Sequence, residues 1–100
     1  MEGAASISSD VVASYAADAA RDVTGVAALV ESLVHRHRGV RVVDADGAVR
    51  IELHVALEWG VSAPDVGRAV QERVREYLVR MANLQPAAVD VVVDEIGAPA

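Results

Sequence analysis

Between Ala48 and Trp59 the chain alternates with a period of two. Val49, Ile51, Leu53, Val55, Leu57 and Trp59 occupy the odd positions, and Ala48, Arg50, Glu52, His54, Ala56 and Glu58 the even ones. Such alternation demands a strand with one buried and one wetter face. Gly60 ends the strand, and Ser62-Ala63-Pro64-Asp65 opens a helix that runs to about Ala82. Ser62 and Asp65 form a loose capping box, and Pro64 in the first turn costs no helical hydrogen bond. Val66, Ala69, Val70, Val74, Tyr77, Leu78 and Met81 make the apolar stripe of this helix. Arg68–Glu72, Glu72–Arg75 and Glu76–Arg80 stand at ion-pairing spacings on its outside. Gly67 weakens a helix interior, and one reason to keep it is close approach of a small-residue helix.

A candidate for that neighbour lies upstream. Val11, Val12, Tyr15, Ala16, Ala19, Ala20 and Val23 line one face of a helix running to about Thr24, capped by Ser8 or Ser9, with Gly25 as its stop. Ser6-Ile7-Ser8 reads as a short strand or lead-in. Val26, Leu29, Val30, Leu33 and Val34 have helical spacing, which reads as a short second helix or turn. His35-Arg36-His37-Arg38 reads as a solvated loop. Val40–Val43 is a strand, and Asp44-Ala45-Asp46-Gly47 turns it into a hairpin with the long strand. Asn83 and Pro86 end the second long helix, and Ala88–Asp94 is the last strand. The helix between the long strand and the last one makes those two parallel.

The expected architecture is α+β: a two-layer domain with a mixed, mostly antiparallel sheet of three to four strands and two long helices on one face. One hundred residues suit a single domain spanning 1–100, with its ordered core over residues 6–96. The core must be aliphatic, because Phe is absent and Trp59, Tyr15 and Tyr77 are the only aromatic residues.

The other sheet face would carry Arg41, Val43, Arg50, Glu52, His54, Ala56, Glu58, Asp90, Val92 and Asp94. It is charged yet interrupted by Val43, Ala56 and Val92, so it is either a wetted face or a contact surface. Arg41, Val43, Arg50, Glu52, His54, Ala56, Glu58 and Val92 are the candidate interaction residues.

Chemistry is sparse. The chain has no Cys, which removes disulfides, thiol catalysis and zinc-thiolate sites. His35 and His37 could share a metal, but no partner ligands follow at a matching spacing. Asp44 and Asp46 lack the bidentate Glu of a calcium loop, since position 55 is Val. No Gly-x-Ser-x-Gly elbow or Gly-rich phosphate loop occurs. Trp59 reads as packing at the core's edge, with ligand stacking as the alternative. No catalytic residue, metal or cofactor is assigned, and no enzyme activity is expected. A net charge of −6, with Arg as the only fixed cation, disfavours nucleic acid. The Gly-x-x-Gly clamp of KH-like RNA-binding domains is also missing. A small RNA- or ligand-binding module remains the alternative function. No apolar run spans a membrane and the first residues lack a signal-peptide pattern, so a cytoplasmic location is expected.

Three segments resemble the alkaline shock protein family of bacterial envelope stress response proteins. Ile7-Ser8-Ser9-Asp10-Val11-Val12, leading through the Ala-rich helix to Val23-Thr24-Gly25-Val26, is similar to that family's opening strand-helix and its Gly-Val exit. Val55-Ala56-Leu57-Glu58-Trp59-Gly60-Val61-Ser62-Ala63-Pro64-Asp65-Val66 is similar to its strand, aromatic-Gly pair and Pro-acid-Val helix start, with Trp59 where Tyr is more usual. Val74–Met81, Asn83-Leu84 and Val89-Asp90-Val91-Val92-Val93 resemble its closing helix and Val-rich strand. The lack of Lys and the His35–Arg38 segment depart from the family pattern. The resemblance implies a non-enzymatic protein of cell-envelope homeostasis and stress response. It implies a self-associating scaffold at the cytoplasmic face of the membrane, tethered by protein partners such as a small membrane anchor, without inserting itself.

Overall fold

A computed structural model describes residues 7–32 and 37–98. The long strand, β3 (Ala48–Leu57), is the centre of a four-stranded sheet. Its odd residues Ile51, Leu53, Val55 and Leu57 are fully buried, while Glu52, His54 and Ala56 on the even positions are half-buried. The preceding strand, β2 (Val40–Ala45), pairs with it antiparallel from Val40 opposite Leu53 to Ala45 opposite Ala48. Asp46 and Gly47 between them have φ of 56° and 80°. Positive φ at both central residues is what a two-residue hairpin with native twist requires. On the other edge of β3 lies β4 (Ala88–Ile96), parallel as expected and two residues longer than Ala88–Asp94.

The segment after the first helix departs from expectation. Val26–Leu29 is a strand, β1, and not a helix or turn. It runs antiparallel to β3, with Val26 opposite Leu57 and Leu29 opposite Val55. Because β4 occupies one edge of β3, β1 and β2 lie end to end along the other. The junction is residue 54: Val30 N–H donates to its carbonyl (2.8 Å) and its own N–H donates to Gly39 O (2.9 Å). The reason is hydrogen-bond accounting. β2 covers β3 only as far as Leu53, and the bare edge beyond it needs a main-chain partner. That demand overrides the helical spacing of Val26, Leu29 and Val30. Leu33 and Val34, which extend that spacing, lie outside the described residues. At the re-entry point Gly39 has φ 78°, and a Cβ there would stand 2.7 Å from Val30 O. Only glycine fits both demands.

Helix α1 (Ser9–Arg21) is capped by Ser8, whose Oγ accepts from Val11 N–H at 3.2 Å. It buries Val12, Ala13, Ala16, Ala17, Ala19 and Ala20. Val11, expected in the stripe, is exposed, and Ala13 and Ala17 take its place. The buried arc is wider than a single stripe because α1 packs on both the sheet and the second helix. The helix ends at Arg21, short of Thr24.

The second helix, α2 (Ala63–Ala82), starts and stops where its signals stand. Ser62 Oγ accepts from Asp65 N–H at 3.3 Å, and Asn83 ends it in the left-handed conformation at φ 49°. Val66, Val70, Val74 and Leu78 are buried, but Ala69 and Met81 are exposed. The reason offered for Gly67 fails: a Cβ there would meet nothing within 4 Å. The close approach is at Gly25 instead, where φ is 100° and a Cβ would stand 2.8 Å from Val66 Cγ2.

The expected ion pairs along α2 give way to other contacts. Arg68 pairs with Asp65 (3.4 Å), Arg73 with Asp22 at the end of α1, and Arg75 donates to Pro86 O (3.1 Å). Arg80 lies over the Tyr77 ring, 5.5 Å from its centroid. Tyr77 meets Tyr15 edge-on, with centroids 5.9 Å apart, and joins the two helices.

Candidate interaction face

With both helices on one side, the opposite face of the sheet is open. Arg41 stands opposite Glu52, and Val43 opposite Arg50, on the β2–β3 pair. Glu52 also lies beside Asp90, and His54 beside Val92, on the β3–β4 pair. Arg41, Val43, Arg50 and Glu52 therefore come together with Asp90 around a shallow concavity. Val92 is 37% exposed and continues the face toward the far end of β4. Ala56 is half-buried opposite Ala28 and Glu95. Glu58 lies past the end of β3, exposed, its N–H donating to Gly25 O at 2.9 Å. Seven of the eight candidate residues thus share one side, divided between the concavity, the His54 region and the far end of the strands, and Glu58 lies just past β3.

The tightest arrangement on this face was legible only in part. His54 Nε2 is 2.8 Å from Glu52 Oε2, and Nδ1 is 2.8 Å from Asp94 Oδ2. A neutral imidazole donates from one nitrogen only, so two carboxylate partners favour the doubly protonated ring. Burial opposes the charge on His54, but its hydrogen bonds to Glu52 and Asp94 and the charge of both carboxylates outweigh it and raise its pKa above 6.5. With both nitrogens bonded, the ring is arranged as an ion-pair hub of the sheet. The alternation already placed Glu52, His54 and Asp94 on this face; the contact it did not give is that of Asp94 with the ring. Asp94 enters through a bulge: Val93 lies opposite Val55 and Glu95 opposite Ala56, which leaves Asp94 as the extra residue. No sequence period announces a bulge.

Two other expectations are corrected. His37 and Arg38 are not a free solvated loop. His37 Nε2 is 2.9 Å from Ser14 Oγ, and Arg38 pairs with Asp18 at 2.9 Å, so the returning chain is tied to the outside of α1. His35 lies outside the described residues, and no cluster of three or more potential metal ligands occurs among the described ones. Trp59 does not pack into the core's edge; it is 61% exposed. No helix among the described residues is long and apolar enough to cross a membrane.

Comparison with known proteins agrees with the fold and adds a lineage. The chain is 34% identical over 92 residues to the uncharacterized protein YqhY of Bacillus subtilis, covering 82% of this chain and 68% of that protein. It is 25% identical over 107 residues to the uncharacterized protein Spy1614 of Streptococcus pyogenes serotype M6, covering 95% of this chain and 88% of that protein. Among solved structures, two His-to-Ala variants of MamM-CTD share the fold at 12% identity, with TM-scores of 0.60 and 0.58. The alignments cover 91% and 89% of this chain and 100% and 98% of those chains. A family model described by its cell envelope-related function matches residues 1–98. The chain therefore belongs to the alkaline shock protein 23 family.

Proposed function

We propose that this protein is a non-catalytic scaffold of the cell envelope and its stress response, working through protein contacts at the cytoplasmic face of the membrane. The observation that carries this reading is the match over residues 1–98 to a family of cell envelope-related function. The structure supports it in two ways. The face bearing Arg41, Val43, Arg50, Glu52, His54, Ala56 and Val92 mixes charge with apolar area, as the rim of a protein interface does. Glu58 extends its acidic margin. In addition, no strand among the described residues pairs with the outer side of β4, which leaves a backbone edge able to accept another chain.

In this reading the chain self-associates and is held at the membrane by a partner, such as a small anchor protein, rather than by inserting itself. Light scattering of the purified protein should give a mass above the monomer. Fractionation of the native cell should recover part of the protein with membranes. A strict monomer at high concentration, together with absence from the membrane fraction, would overturn the proposal.

The exposure of Trp59 makes a second reading testable, in which this domain binds RNA or a small ligand. The net charge of −6 weighs against RNA. Titrating Trp59 fluorescence with total cellular RNA decides it: an unchanged spectrum removes the RNA form of that reading.

A further inference from the structure

The far end of the β3–β4 pair carries the two most exposed large apolar side chains among the described residues. Trp59 is 61% exposed and Ile96 is 59% exposed. They belong to neighbouring backbones. Ile96 lies opposite Leu57, Gly97 N–H donates to Leu57 O at 2.8 Å, and a Cβ on Gly97 would stand 3.4 Å from the Trp59 main-chain nitrogen. Ile96 is thus the last residue of β4, and Trp59 stands in the turn just past the hydrogen-bonded end of β3. Around them the charge is mostly acidic. Glu58 immediately precedes Trp59 and Glu95 immediately precedes Ile96, and both are exposed. Asp65, in the first turn of α2, is paired with Arg68 three residues further on, at 3.4 Å.

We propose that this end is a docking site for a basic segment of a partner protein, with Trp59 and Ile96 receiving its apolar side chains and Glu58 and Glu95 its Lys or Arg. An exposed Trp and an exposed Ile on adjoining backbones have the composition of an interface centre, where Trp is over-represented among residues that dominate binding. The flanking carboxylates select the sign of the occupant. They argue against direct contact with an anionic lipid surface, which would repel Glu58 and Glu95. A second copy of this chain also fits poorly by charge, since its net charge is −6. The inference deepens the proposed scaffold role and rests on it. Membrane proteins concentrate Lys and Arg in short cytoplasmic segments beside their spans, so an anchor's cytoplasmic flank has the required chemistry.

The probe is a short fluorescein-labelled peptide alternating leucine and lysine, with leucine–glutamate and serine–lysine peptides as controls. Fluorescence anisotropy with the whole protein should show binding of the first peptide and neither control. Trp59→Ala should weaken it by about tenfold, the effect of losing a central interface aromatic. Ile96→Ser should weaken it as well, and the double change Glu58→Lys with Glu95→Lys should abolish it. All four positions are exposed, so circular dichroism should be unchanged. Equal binding by wild type and these variants would overturn the site. So would a blue shift of Trp59 on phosphatidylglycerol vesicles, which assigns the end to lipid. A fall in oligomer mass caused by Trp59→Ala assigns it to a second copy and likewise overturns the proposal. Wild-type mass and membrane recovery report on the scaffold reading separately, so the two can fail independently.

Discussion

Glycine serves opposite ends at different positions in this chain. At Gly39 the backbone has φ 78° and a Cβ would collide with Val30 O at 2.7 Å. Gly39→Ala should therefore cost about 1–3 kcal/mol, the usual penalty for forcing a side chain into such a conformation. At Gly67 nothing lies within 4 Å of a Cβ, and the backbone is helical. Gly67→Ala should instead raise stability by about 0.5–1 kcal/mol, through helix propensity alone. Urea denaturation of the two variants checks both signs. The spelling of the sequence does not separate these residues; the neighbours of the missing Cβ do.

At the scale of elements, the ends are set locally and the faces are not. Ser62→Ala removes the acceptor for Asp65 N–H and should cost about 1 kcal/mol, seen as a lower urea midpoint with an unchanged slope. The Ala-rich arc of α1 behaves differently, because it is a packing solution shared with α2 and the sheet. Ala16 is fully buried, and Ala16→Leu should destabilise by about 1–3 kcal/mol through overpacking. The same change at Asp18 on the exposed side should remove only the Arg38 pair, a few tenths of a kcal/mol. β1 shows how far an element can depart from its own residues. Its alanines favour helix, yet the vacant stretch of β3 edge makes it a strand.

Across the whole molecule, His54 joins every strand. Its main chain bonds the ends of β1 and β2 through Val30 and Gly39, and its side chain bonds Glu52 on β3 and Asp94 on β4. Its raised pKa gives global stability a defined pH dependence. The folded state holds the proton more tightly than the unfolded chain, so the contribution is complete below the unfolded value near 6.5 and is lost as pH rises through the higher folded value. Stability from urea unfolding should decline across that window in the wild type. His54→Gln should flatten the decline, and an equal slope in both proteins would refute the assignment.

The alternation of β3, the Asp46-Gly47 hairpin, the caps of α2 and the parallel β4 were all written in residues close together in sequence. Period and capping act within one or two turns of chain, so the sequence alone determined the α+β class and five of the six elements. β1, the bulge at Asp94, the ties of His37 and Arg38 to α1 and the exposure of Trp59 were decided only in three dimensions. The first three depend on a partner distant in the chain: the bare edge at 55–57, the register of β4 against β3, and the hydroxyl of Ser14 with the carboxylate of Asp18; Trp59 is exposed because the strand ends at Leu57, two residues before it. Local sequence has no term for hydrogen-bonding groups that another segment leaves unpaired, and the assembled sheet does.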